Sequence, residues 1–335
     1  MTQPARPGAR SRALGRALRL SVALGLTVWL IAEASPGEVL ASLKPARPLW
    51  VAAAVALVTV DRGLMAYRWL LLLRAIEPGR DLPFGAMMRV FFVSTFVGSF
   101  LPAGVGGAAA RTVALARHKV PAADALASVV VDGLLGGVSV LIAAAGGLFL
   151  VRQALEGWPL AAAGAIAAAI VGSTLLLLFD SRILTGLVRW LTARHLPRIQ
   201  RMAERALVAI RQYGHHRDRL AIVLVASVAV QVLRVLQAWC LAMALGLSVG
   251  IAWYFAFVPV IVFVMIMPIS VAGIGTSQAA FVFFFGRVGM AAPDALALSF
   301  LFLALAVVGN LPGGLLVGFS RRSLSAPAAS SSAPD

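Results

Sequence analysis

Twice along this chain, an apolar stretch that hydropathy alone would draw across a bilayer is broken by a proline and a cluster of glycines. The breaks read Phe100-Leu-Pro-Ala-Gly-Val-Gly-Gly107 and Met267-Pro-Ile-Ser-Val-Ala-Gly-Ile-Gly275. Each is followed by a short helical stretch, a turn and a similar phrase, Pro121-Ala-Ala-Asp-Ala-Leu-Ala-Ser128 and Ala292-Pro-Asp-Ala-Leu-Ala-Leu-Ser299. Backbone that leaves the helix at membrane depth must be surrounded by protein or line a wet cavity, because lipid tails offer no hydrogen bonds. A pair of Gly/Pro-interrupted segments at matching places in two halves points to a transporter's binding site.

The surrounding chain is 61% hydrophobic and 13% charged over 335 residues, too little charge for a soluble domain of that length. Its apolar runs approach the ~20 residues of a helical span and lack the alternation of a membrane strand. The expected fold class is an all-α polytopic membrane protein. The formal net charge of +16 does not indicate nucleic acid. The arginines gather at the ends of apolar runs and in one long loop, as cationic residues do when they hold loops in the cytoplasm. Cys240, the single cysteine, lies inside an apolar run, which excludes an internal disulfide. His118, His195, His215 and His216 stand near loops at no ligand spacing, so neither a metal nor a cofactor is expected.

Arg6, Arg10, Arg12, Arg16 and Arg19 precede the apolar run 20–32, and Ala32-Glu-Ala-Ser35 resembles a signal-peptidase site. A retained first span is the expectation, since Leu14 to Leu20 lengthen the helix once Arg16 and Arg19 snorkel. With residues 1–13 as a basic cytoplasmic N-terminus, a span at about 14–33 leads out and one at about 49–73 returns. Segment 84–101 then enters from the cytoplasm and turns back at 101–107, which returns Arg117, His118 and Lys119 to the cytoplasm as the charge rule requires. Spans at 121–150, 158–179 and 220–245 follow. Segment 251–267, with Trp253 and Tyr254 at the interface, enters from outside and goes back through 276–286. A last span at about 291–318 ends at Arg321-Arg322.

The expected architecture is thus about six full spans plus two Gly/Pro-broken re-entrant hairpins arranged as an inverted repeat. They form one transmembrane domain over 14–320 with both termini cytoplasmic, followed by a disordered tail over 321–335. The basic cytoplasmic loop 180–219 sets Arg189, Arg194, Arg198, Arg201, Arg205 and Arg211 among Leu, Ile, Met and Val at helical spacing. That pattern suits an amphipathic helix on anionic lipid headgroups, and equally a plain linker obeying the charge rule.

Both returning helices are expected to begin just after their glycines, at about Ala108 and Thr276, with their N-termini toward the midplane. Orphan N–H groups and the helix dipole favour an anion there, and glycine lets a ligand approach the backbone. The candidate residues are Pro102, Gly106 and Gly107 at the first break, with Pro268, Gly273, Gly275 and Thr276 at the second. The same glycines also suit close helix packing. Charges within spans mark function by default, and here they are Asp61, Arg62, Arg111, Asp132 and Arg234, with Gln231, Gln237, Gln278 and Asn310 as polar companions. Arg111 and Arg234 suit a phosphate, because a guanidinium gives forked hydrogen bonds and keeps its charge when desolvated. Asp132 and Asp61 either neutralise these arginines or relay protons, and a structural Asp–Arg pair explains them as well. Arg62 and Arg68 are placed to snorkel. No paired carboxylates in a plausible aqueous site, nucleophile elbow or Walker loop is present, so catalysis is not expected.

These residues resemble the flippase-like transmembrane domain of lysylphosphatidylglycerol synthases and its stand-alone relatives. The family pattern of Leu-Pro, Gly-Gly-Asp and a following arginine appears as Leu101-Pro102, Gly106-Gly107, Ala108 and Arg111. Its Asp-Arg within a span appears as Asp132-Gly133, and its later Pro, Gly-x-Gly and glutamate as Pro268, Gly273-Ile-Gly275 and Gln278. Arg234 and the Ala-Leu-Gly at 244–246 also fall where the family has them. Ala108, Gly133 and Gln278 depart from the pattern, which puts in question any proton coupling through those positions. The resemblance covers most of 14–320. It implies translocation of a lipid with a phosphate-bearing headgroup, a phospholipid or polyprenyl phosphate, across a bacterial inner membrane. It does not imply synthesis, since only the short tail follows residue 322. Two rivals stand beside this expectation: a membrane-embedded headgroup transferase with Asp132 as base, and a non-transporting accessory subunit bound to lipid-biosynthesis partner proteins.

Overall fold

The computed structural model describes residues 47–76, 82–99, 105–116, 118, 120–154, 208, 210, 212–266 and 275–324. Among them are eight α-helices: α1 Pro48–Ile76, α2 Phe84–Ser99, α3 Val105–Ala116, α4 Ala122–Leu150, α5 Arg217–Ala244, α6 Ile251–Ile266, α7 Thr276–Gly286 and α8 Ala292–Leu324. A single 3-10 turn, Arg152–Ala154, follows α4, and no strand occurs among the described residues.

Helix length separates two classes. α1, α4 and α5 have 29, 29 and 28 residues, and the apolar part of α8, Ala292–Leu316, has 25, all long and apolar enough to cross a bilayer. The chain is a multi-pass membrane protein. By contrast α2, α3, α6 and α7 have 16, 12, 16 and 11 residues. At 1.5 Å per residue even the longest of these is about 24 Å, short of the ~30 Å hydrocarbon core. The two broken segments are therefore pairs of short helices, α2 with α3 and α6 with α7, and the members of each pair pack on one another.

Three expectations need adjustment. α3 begins at Val105, not near Ala108, so the Gly106–Gly107 backbone forms its first turn instead of preceding it. α8 continues to Leu324, past both the expected end near 318 and the start of the proposed tail. α5 starts at Arg217, inside the loop drawn as 180–219. The spans drawn at 14–33 and 158–179, most of that loop, the breaks at 100–104 and 267–274, and the tail beyond Leu324 lie outside the described residues.

α1 packs most extensively on α5, and the two run antiparallel. The Arg47 N–H at the head of α1 donates to Ala244 O at the foot of α5 at 2.9 Å, and Trp50 meets Trp239 edge-on at 5.4 Å. Farther along, Arg68 reaches Ser227, and the Tyr213 hydroxyl donates to Leu72 O at 3.1 Å. Burial, helped by the nearby Asp124 and Asp132 carboxylates, pushes the Tyr213 phenol well above its ordinary pKa.

The remaining packing is reciprocal. α4 lies on α6 while α8 lies on α2, and α4 on α5 while α8 lies on α1. The pairs α1–α2, α3–α4 and α1–α4 are matched by α5–α6, α7–α8 and α5–α8. Exchanging α1–α4 for α5–α8 thus carries these packed pairs onto one another. Two contacts make the correspondence concrete. A Cβ added at Gly147 of α4 would overlap the Phe255 carbonyl of α6, and one at Gly313 of α8 would overlap the Phe92 carbonyl of α2. Each long helix thus touches the leading short helix of the other half backbone to backbone, which only glycine permits. The two related phrases also behave alike. Each places an aspartate, Asp124 or Asp294, in the first turn of its long helix. Each also buries a serine, Ser128 or Ser299, whose hydroxyl donates to the carbonyl three residues back at 2.8 or 2.7 Å.

The largest apolar cluster gathers Tyr254, Phe257, Phe281, Phe285 and Phe302 between α6, α7 and α8. A second joins Trp69, Phe91 and Leu115 across α1, α2 and α3. Between them α1 carries charge.

Candidate functional site

α1 places Asp61, Met65 and Arg68 four and three residues apart, and Arg62 and Trp69 flank them, so all five share one helical face. That face meets α4 and α5, and two charged clusters form along it.

The first cluster is centred on Asp132 of α4. Arg68 Nε lies 2.9 Å from Asp132 Oδ1, out of line for a hydrogen bond, and Arg111 Nη1 of α3 lies 3.6 Å from Oδ2. Arg68 Nη1 donates to Ser227 Oγ at 2.6 Å, and that hydroxyl donates onward to Val223 O at 2.6 Å. Arg111 donates to Ser94 Oγ at 3.2 Å and Thr95 Oγ1 at 3.4 Å on α2. Its guanidinium also covers the Phe91 ring at 4.5 Å and the Trp69 ring at 5.4 Å, an attraction that strengthens when water is excluded. Trp69 is held in turn by Ser128 at 3.3 Å.

The second cluster is centred on Asp61, only 1% exposed. Arg62 Nη1 lies 3.5 Å from its Oδ2 and Arg234 Nε of α5 lies 3.6 Å from its Oδ1. Arg62 Nη1 and Arg234 Nη2 also point at the Met65 thioether, at 3.4 and 3.6 Å. Arg234 Nη1 reaches Gln231 Oε1 at 3.5 Å, and Gln231 Nε2 donates to Ser139 Oγ of α4 at 3.1 Å. Over both clusters, four guanidinium groups face two carboxylates, leaving an excess of two positive charges among the described residues.

The expected site residues do not gather at one place. Arg111 and Asp132 come together in one cluster, and Arg234 sits in the other with Asp61. Gly275, Thr276 and Gln278 open α7: Gly275 has φ 82°, where only glycine is unstrained, and its N–H donates to Gln278 Oε1 at 2.6 Å. Gln278 is fully buried and also accepts the Ser277 hydroxyl at 3.0 Å, while its Nε2 has no hydrogen-bond partner. Pro102, Pro268 and Gly273 lie outside the described residues, and Gly106 contributes its backbone to the first turn of α3. A Cβ at Gly107 would meet Ser94 O at an ordinary 3.5 Å, so helix packing alone does not demand glycine there.

Arg62 and Arg68, expected to snorkel, do not. Arg68 is 4% exposed and bonded to both neighbouring long helices, because α4 and α5 enclose the end of α1 that hydropathy assigned to the interface. Met65, Ser94, Thr95, Ser139 and Ser227 were not singled out from sequence. The repeat of polar groups at 61, 62 and 68 along one helical face is the signal that would have found the α1 side.

Comparison with curated proteins gives no match. The family pattern described as "Lysylphosphatidylglycerol synthase TM region" matches residues 16–313. That span takes in both clusters, both pairs of short helices and all but the end of α8, and the chain belongs to this family.

Proposed function

We propose that the protein translocates a lipid with an anionic, phosphate-bearing headgroup across a bacterial inner membrane, without chemical conversion. The observation that carries this reading is the excess of two guanidinium charges, among the described residues, held between α1, α3, α4 and α5. Charge at membrane depth is costly unless paired, and a phosphate matches the guanidinium fork. Such a polar seam removes the several kcal/mol that a headgroup would otherwise cost in hydrocarbon, while the acyl chains stay in lipid.

The reciprocal packing supports an inverted repeat as the machinery. α1 and α5 exchange with one another under the correspondence of halves and run antiparallel, so the halves would face opposite sides of the membrane. The pairs α2–α3 and α6–α7 would then enter from opposite sides as re-entrant hairpins, with both termini cytoplasmic. Two such halves alternate access by trading conformations. The breaks at Pro102 and Gly106–Gly107, and at Pro268, Gly273 and Gly275, would wall the path with Thr276 and Gln278.

Mass spectrometry of lipids retained by the purified protein tests this, with wild type beside Arg111→Ala and Arg234→Ala. Each variant leaves its aspartate one guanidinium, Arg68 for Asp132 and Arg62 for Asp61, so both are expected to fold. Wild type should retain one enriched phospholipid or polyprenyl phosphate, reduced about tenfold or more in at least one of the two variants. Bulk lipid in bulk proportions from all three proteins would remove the reading.

A further inference from the structure

We propose that the headgroup phosphate docks at the Asp61 cluster, in the place now taken by the Met65 thioether, and that Met65 is a movable plug. This rests on the lipid-translocation reading and places its anion site.

The two clusters are not equally satisfied. Around Asp132, the donors left over from the ion pairs go to three hydroxyls, those of Ser227, Ser94 and Thr95, and Arg111 is stacked on two rings. Around Asp61 the ion pairs are long, at 3.5 and 3.6 Å. Each cluster leaves one guanidinium Nε and one carboxylate oxygen without a hydrogen-bond partner, Arg62 Nε with Asp61 Oδ1 here and Arg68 Nε with Asp132 Oδ1 there. The difference lies in what the remaining donors meet. Two charged donors, Arg62 Nη1 and Arg234 Nη2, converge on one sulfur. A thioether is a weak acceptor, so both donors would gain by trading it for an oxyanion. Two guanidinium groups aimed at one point provide the forked clamp that phosphate oxygens accept.

The geometry lets that trade happen. Methionine has three rotatable side-chain bonds and adapts to irregular space, and Met65 is half-buried. The Arg234 side chain, 21% exposed, is the most accessible of the four guanidinium groups, against 12% for Arg62 and Arg111 and 5% for Arg68. Gly309 of α8 forms the opposite wall. A Cβ there would lie 3.1 Å from Arg62 Nε and 2.7 Å from Val58, so the bare backbone is what lets Arg62 lie where it does. Asp61 against two arginines leaves one positive charge, matching the single negative charge of a phosphodiester. The Asp132 cluster then acts as the scaffold that fixes α1 against α3, α4 and α5.

The test follows the methyl carbon of Met65 by NMR in the full chain, purified in maltoside micelles and labelled at methionine methyls. The Met65 signal is the one missing from Met65→Leu. Dihexanoyl phosphatidylmethanol, a phosphodiester with no other headgroup chemistry, should shift it saturably, and dihexanoylglycerol should not. Binding should weaken roughly tenfold or more in Arg62→Gln and Arg234→Gln. It should tighten about threefold in Met65→Ala, where nothing has to be displaced. If the arginine variants lose their melting transition, the Met65→Ala comparison and the wild-type shift decide alone. A probe that binds wild type and Met65→Ala equally, with the Met65 signal unmoved, overturns the plug. Should native lipid still be lost in Arg111→Ala in that case, the translocation reading stands with its site elsewhere. Inorganic phosphate shifting the signal at the same concentration as the lipid probe would make the ligand a free anion and overturn both.

Discussion

Asp132→Ala is expected to destabilise the protein by about 3–5 kcal/mol, the cost of leaving buried charge without its partner. Asp132 faces Arg68 at 2.9 Å and Arg111 at 3.6 Å, and no second carboxylate among the described residues is paired with either arginine. Removing it strands two guanidinium groups at once. Removing Arg111 instead strands none, since Asp132 keeps Arg68. The asymmetry gives the prediction its edge: melting in detergent should fall far more for Asp132→Ala than for Arg111→Ala. Adding Arg68→Met to Asp132→Ala should recover part of the loss, because one of the stranded charges disappears. Asp132→Ala melting with wild type would mean that the cluster is wet and relaxed, and would undo its role as scaffold. The same experiment separates scaffold from site. An Asp132 variant that folds normally but fails in transport would instead give this carboxylate a direct part in moving the headgroup.

The elements were legible because each rests on a local signal. Apolar length drew α1, α4, α5 and α8 to within a few residues, except where α8 runs on past Ser320. Proline and glycine located both breaks, and Gly275 with its φ of 82° sits at the start of α7 as expected. The start of α3 was misplaced by three residues because Gly106 and Gly107 look like loop in isolation. In a short helix laid against α2, their poor helix propensity is a small cost. The charged residues of the site were legible one by one, since an Arg or Asp within a span stands out against the apolar background. Their partners were not. Which aspartate meets which arginine depends on how α1 turns its polar face toward α4 and α5, and hydropathy carries no information about that rotation. Arg68 shows the limit most clearly. Six residues before Arg74, it reads as the cytoplasmic end of a span, and only packing against Ser227 and Asp132 makes it buried. Met65 was invisible for the opposite reason, since a methionine in an apolar helix is an ordinary core residue until two guanidinium groups are found pointing at it.

Gly147→Ala and Gly313→Ala are each expected to cost at least the upper part of the ~1–3 kcal/mol typical of overpacking. The obstacle in each case is a backbone carbonyl, Phe255 O or Phe92 O, which no rotamer change can move aside. Gly63→Ala and Gly137→Ala, where an added Cβ meets nothing within 4 Å, serve as controls and should be neutral or up to about 1 kcal/mol stabilising, as alanine is in a helix. The matched positions carry a further consequence. If the halves exchange conformations during translocation, the α4–α6 and α8–α2 contacts loosen in turn, and alanine at one of them favours the state in which that contact is open. The two substitutions should then bias the protein in opposite directions. A Met65→Cys reporter in a Cys240→Ser background, labelled by an impermeant thiol reagent from each side of sealed vesicles, reads that bias. Gly147→Ala should raise labelling from one side and Gly313→Ala from the other. Equal labelling from both sides in both variants would leave the two contacts as static packing, and the correspondence between the halves would then describe how the protein is built but not how it moves.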